Sequence, residues 1–152
     1  MEQPPFVARA DCLQVLVEEV WDVHRLRRGG SLSLHGTQGV GTSRLSQELG
    51  SALARRGIAH RLLRGSCSRA TPLAYGAFVG VLRDTPGGAE EWLQEASAVA
   101  KWNPEHASAA LLAGLLRRLA SLAADEPVVV VLDDFDAADP STLQLAAAAA
   151  PL

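Results

Sequence analysis

Gly36-Thr37-Gln38-Gly39-Val40-Gly41-Thr42-Ser43-Arg44-Leu45 is the stretch on which the fold turns. It follows a short segment, Leu32 to His35, that reads as a strand. It opens a segment with Leu45, Leu49, Ala52 and Leu53 at helical spacing, which Gly57 stops. Strand, Gly-rich turn and helix in that order form the context of a phosphate-binding loop. The glycines let the backbone bend so that successive N–H groups face an anion, and the helix start adds its partial positive charge. Ser43 offers a hydroxyl where a nucleotide-bound Mg²⁺ needs an oxygen ligand. Such a loop ordinarily reads Gly-Lys-Ser/Thr, whereas this chain reads Gly41-Thr42-Ser43. The candidate nucleotide contacts are therefore Gly36, Thr37, Gln38, Gly39, Val40, Gly41, Thr42, Ser43 and Arg44. On its own, a tight strand-to-helix turn explains the same residues.

A second motif lies about ninety residues on. Pro127 precedes Val128-Val129-Val130-Val131-Leu132, a β-branched run of the kind buried on both faces of a parallel sheet. Asp133 and Asp134 end it. A carboxylate at the C-terminal end of such a strand stands where open α/β sheets bind ligands, and P-loop NTPases place a Mg²⁺-associated carboxylate there. In that reading Asp133 holds Mg²⁺ through water, and Asp134 orients or deprotonates the attacking water. Helix-capping aspartates in a turn are the plainer reading. Two motifs in the right order, each in its proper context, reinforce each other.

Helices are predicted over Asp11 to Arg28, Ala89 to Lys101 and His106 to Ala124, and from Pro140 onward behind an Asp139 cap. A less regular helical stretch follows Pro72, and Ile58 to Leu63 reads as a further strand. Alternating strands and helices indicate an α/β fold. The chain divides into an N-terminal segment and helix, 1–30, leading into a nucleotide-binding core, 31–152.

Composition bounds the rest. The chain has 152 residues, is 48% hydrophobic and 20% charged, and carries a net charge of -3, which excludes a disordered chain and a whole-chain basic field for nucleic acid. A single lysine, Lys101, stands among 14 Lys and Arg residues. Cys12 and Cys67 lack metal-ligand spacing and read as free buried thiols. The three tryptophans Trp21, Trp92 and Trp102 read as core or interface fillers. Neither a signal peptide nor a spanning segment is recognisable, so a cytoplasmic setting is expected.

Phe6-Val7-Ala8-Arg9, the Gly36 to Leu45 loop and Leu132-Asp133-Asp134-Phe135-Asp136-Ala137-Ala138-Asp139-Pro140-Ser141 together resemble the AAA-type ATPase domain of large bacterial regulators. These are the LuxR-family, MalT-like regulators and related origin-recognition-like AAA proteins, whose usual pattern runs FVGRE, GEAGIGKSRL and LDDLHWADPSSL. Arg64-Gly65-Ser66-Cys67 is similar to that family's RGRC segment. The resemblance covers essentially the whole chain. It implies a P-loop NTPase three-layer sandwich with a parallel sheet, incomplete at about three strands, with the N-terminal helix packed on it. In this family a further strand inserts between the loop strand and the double-Asp strand, and a sensor residue and lid follow. The chain is expected to stop short of these.

The resemblance also implies ATP and Mg²⁺ as cofactors. The departures weaken both: Ala8 and Ala10 replace Gly and Glu, Asp136 and Ala137 replace His and Trp, and Thr42 replaces the lysine that pairs with the β- and γ-phosphates. Losing that cation removes hydrogen bonds of about 1.5–3 kcal/mol each. Weak nucleotide binding and little hydrolysis are expected. The expected partners are a nucleotide and other regulator domains or a protein partner, with no direct DNA binding by this chain and no membrane. The alternative is a non-catalytic interaction module, or a gene remnant, that keeps the fold without nucleotide dependence.

Overall fold

A computed structural model describes residues 10–36, 41–69, 74–102 and 107–151. The elements run α1 (Ala10–Leu26), α2 (Thr42–Arg55), β1 (Arg61–Ser66), α3 (Gly76–Arg83), α4 (Gly88–Trp102), α5 (Ala107–Asp125), β2 (Val128–Asp133) and α6 (Pro140–Ala149). The two strands pair in parallel, in a register that runs from Arg61 opposite Val128 to Ser66 opposite Asp133.

Side chains alternate across a strand, and this alternation sorts the helices into two layers. Leu63 of β1 and Val128, Val130 and Leu132 of β2 face one cluster, with Tyr75, Phe78, Val81, Leu82, Trp92, Leu115, Leu119 and Leu145. Val129 faces the other, which joins Leu16 and Val17 of α1 to Leu45, Leu49, Ala52 and Leu53 of α2. The sheet thus lies between α1 and α2 on one side and α3 to α6 on the other. Fully burying a leucine such as Leu53, Leu82, Leu115 or Leu145 stabilises the fold by about 1.5–3 kcal/mol.

Gly65 lets α3 rest directly on β1. A Cβ there would collide with the carbonyl oxygen of Ala77, a clash with rigid backbone. Tyr75 begins α3 in the left-handed region, at φ 60°. Its ring meets Trp92 edge-on at 6.4 Å between centroids, and the Trp92 indole N–H donates to the Leu111 carbonyl.

Several expectations change. The segment Leu32 to His35 forms no strand: it is irregular and exposed, Leu32 at 50% and Leu34 at 42%. A strand exists only with a neighbour to take its backbone groups, and among the described residues none lies alongside this segment. The sheet therefore has two described strands instead of three. The strand expected at Ile58 to Leu63 begins three residues later, because Ile58 is drawn into the α1–α2 cluster behind the left-handed Gly57. The residues of β2 are half-buried and not sealed on both faces. Among lone side chains, Cys12 and Trp21 are exposed, whereas Cys67 and Trp92 are buried as expected. The side chain of Trp102 lies outside the described residues.

The expected Asp139 cap is present. Its Oδ1 accepts from the amides of Ser141 and Thr142 at 3.0 Å, and its Oδ2 from the Thr142 hydroxyl at 2.5 Å. Burial pushes its pKa up, but the Thr142 hydroxyl and the amides of Thr142, Tyr75 and Ser141 outweigh that and hold it below the usual carboxylate value. The amide of Tyr75 belongs to the approach to α3, so one carboxylate ties α6 to α3. A lowered folded pKa stabilises above the unfolded value and is lost as pH falls through the folded one. Asp139→Ala is expected to cost about 0.5–2 kcal/mol near neutral pH. In urea denaturation that difference should shrink as pH falls below about 4.

Candidate functional site

The helix α2 starts abruptly. Gly41 stands before it in the left-handed region, at φ 87° and ψ 30°, a conformation glycine adopts without a Cβ penalty. Among the described residues no side chain caps the helix, and the first closed turn is Leu45 N–H to the Gly41 carbonyl at 3.0 Å. Helix geometry leaves the opening amides without intrahelical acceptors, and the macrodipole favours negative charge there. Ser43 is exposed in this first turn. Gly36 is exposed just before the loop; Thr37, Gln38, Gly39 and Val40 lie outside the described residues, as does the Thr42 side chain. Arg44 extends along the helix toward Glu48, at 3.7 Å.

The other expected part of the site is the acidic end of β2. Asp133 is the last strand residue, and its carbonyl accepts from the Cys67 amide at 3.0 Å. Asp134 follows in the left-handed region at φ 54° and ψ 40°. An aspartate tolerates this backbone better than most side chains, and the turn leaves Asp134 exposed. The Ser66 hydroxyl donates to Asp134 Oδ2 at 3.4 Å, and Arg69 pairs with Asp136 at 3.3 Å.

The register decides which of these residues share a face. Leu62 lies against Gly50 of α2, so even-numbered residues of β1 face α2. Their partners Val129, Val131 and Asp133 face the same way. Arg64 spans the gap: its guanidinium donates to Ser46 Oγ at 3.0 Å and to the Ser46 carbonyl at 2.7 Å. Asp133 thus belongs to the sheet face that carries the first turns of α2, where Ser43 sits. Arg64, Ser66 and Arg69 were not singled out as site residues from sequence; Arg64 and Ser66 fall in the Arg64 to Cys67 segment that resembles the family pattern.

A family model described as AAA ATPase domain matches residues 5–152. The chain belongs to the AAA ATPase domain family. No curated protein and no solved structure matches it. The AAA ATPase domain has an α/β P-loop fold, and here its small parallel sheet, flanking helices and N-terminal helix agree with that architecture. Membership associates the chain with nucleotide binding and with the ATP and Mg²⁺ that AAA ATPase domains use. Among the described residues no group of three His, Cys, Asp or Glu could hold a metal ion alone, and no helix is long and apolar enough to cross a membrane. Nucleotide-bound Mg²⁺ ordinarily takes only one or two protein ligands beside phosphate oxygens and water.

Cys67 lies behind the acidic turn of this AAA ATPase domain. Burial raises its thiol pKa first, and the charges of Asp139, Asp134 and Asp136 raise it further. Since the thiolate is the reactive form, a disulfide reagent at pH 8 should label exposed Cys12 at least about tenfold faster than Cys67. Equal rates in the folded protein would contradict the buried placement.

Proposed function

We propose that this AAA ATPase domain binds ATP at the start of α2, weakly and with little turnover. The observation that carries this reading is the start of α2 behind a left-handed Gly41, uncapped among the described residues, on the sheet face to which Asp133 belongs. The backbone N–H groups of Gly36, Thr37, Gln38, Gly39, Val40, Gly41, Thr42, Ser43 and Arg44 would donate to the phosphate oxygens. Ser43 would ligate Mg²⁺ directly, and Asp133 through water. Bound Mg²⁺ supplies charge neutralisation at the phosphates. Asp134, turned outward and touched by the Ser66 hydroxyl, would orient the attacking water or take its proton. The missing lysine at position 42 removes the cation that favours charge developing on the terminal phosphate, so binding outlasts hydrolysis. Within this reading the chain is the nucleotide-binding part of a signalling regulator of the LuxR-family or MalT-like type, working in the cytoplasm with other regulator domains or a protein partner and without touching DNA itself.

A second reading, an interaction module without nucleotide dependence, draws on Leu32 and Leu34, which are exposed outside the sheet. Titration with a fluorescent ATP analogue, with and without Mg²⁺, separates the two. We expect Mg²⁺-dependent binding that Thr42→Lys strengthens by about tenfold or more, the equivalent of one charge-assisted hydrogen bond. Absence of binding by both proteins would favour the interaction module.

A further inference from the structure

Arg64 of β1 is hydrogen-bonded to α2. Both of its terminal nitrogens are engaged by a single residue, Ser46, through the hydroxyl at 3.0 Å and the carbonyl at 2.7 Å. Ser46 is buried, at 4% exposure. Its hydroxyl, receiving from Arg64, donates to the Ser43 carbonyl at 2.7 Å. The chain of bonds therefore runs from the sheet through Ser46 to Ser43. A hydroxyl that bonds back one turn commonly loosens or bends a helix; here the guanidinium fixes that hydroxyl's direction and ties that turn to the strand. The fork shape of arginine suits the task, because two donors on one plane reach two acceptors of one residue.

We propose that Arg64 is a positioning residue for nucleotide binding: it clasps Ser46 and so fixes the first turn of α2, with Ser43, over the sheet face to which Asp133 belongs. The role rests on the nucleotide reading above. Arg64 touches neither phosphate nor metal in it; it acts through Ser46. The geometry required is narrow, since a small displacement of an anchored group weakens every contact it makes to a ligand. A point charge in its place reaches one acceptor at a time, so Arg64→Lys retains part of the effect and Arg64→Met, which keeps the apolar stem, loses it.

The test is MgATP affinity together with amide hydrogen exchange along α2, in the full chain and in Arg64→Met, Arg64→Lys and Ser46→Ala. We expect the MgATP dissociation constant to rise about tenfold in Arg64→Met and by a smaller factor in Arg64→Lys and Ser46→Ala, as for one or two lost charge-assisted bonds. Exchange should quicken at residues 45–47 while residues 51–55 and β2 keep their protection. If Arg64→Met does not fold, Ser46→Ala, which removes only the hydroxyl, carries the same comparison. Wild-type binding that Arg64→Met or Ser46→Ala leaves within about twofold overturns the positioning role alone. So does a loss of protection spread evenly over α2 and β2, which marks Arg64 as a general stabiliser. Absence of MgATP binding in wild type and in Thr42→Lys overturns the nucleotide reading, and the positioning role with it.

Discussion

The parallel pairing of β1 with β2 is the constraint from which the rest of the molecule follows. Six consecutive residues are matched, from Arg61 with Val128 to Ser66 with Asp133. A slip of one residue would exchange the two faces of a strand. It would turn Arg64 away from α2 and Leu63 away from the cluster around Leu82 and Leu115. Both ends of the ladder are pinned. The Arg61 amide donates to the Pro127 carbonyl at 2.8 Å, and the Cys67 amide to the Asp133 carbonyl at 3.0 Å. At the first end Arg61 also pairs with Glu126 at 3.0 Å. Beyond the second end Ser66 meets Asp134 and Arg69 meets Asp136, so chemistry-bearing groups collect where the ladder stops.

Much of this was legible in the residues. The valine run, the Asp139 cap before Pro140 and the leucines of α5 carry local signals of period, capping and propensity, and each appears near its expected place. What was not legible depends on partners distant in sequence. Leu32 to His35 has the alternation of a strand, but alternation supplies no neighbour, and the segment lies exposed and unpaired with either described strand. β1 starts later than the residues suggest because Ile58 is as apolar as a strand residue yet fills the space beside α2. The exposure of Trp21 and Cys12 likewise follows from which face of α1 meets α2, which composition alone does not say.

The site divides the same way. The glycine-rich loop, Ser43 and the paired aspartates stand out because their order and spacing are local features. The bonds of Arg64 to Ser46 and of Ser66 to Asp134 arise only once the register is set, and no local pattern announces them. Thr42 gives these bonds added weight. With no lysine at position 42, the phosphate binding we propose would rest on backbone amides and on the placement of α2 against the sheet.

The central claim is that ATP with its metal lies between the start of α2 and the end of β2. Paramagnetic relaxation by MnATP, read on the amide resonances of the full chain, tests it most directly. The account predicts selective broadening at residues 41–45 and at Asp133 and Asp134, reversed by excess MgATP. Broadening centred elsewhere, or none at saturating MnATP, would contradict it.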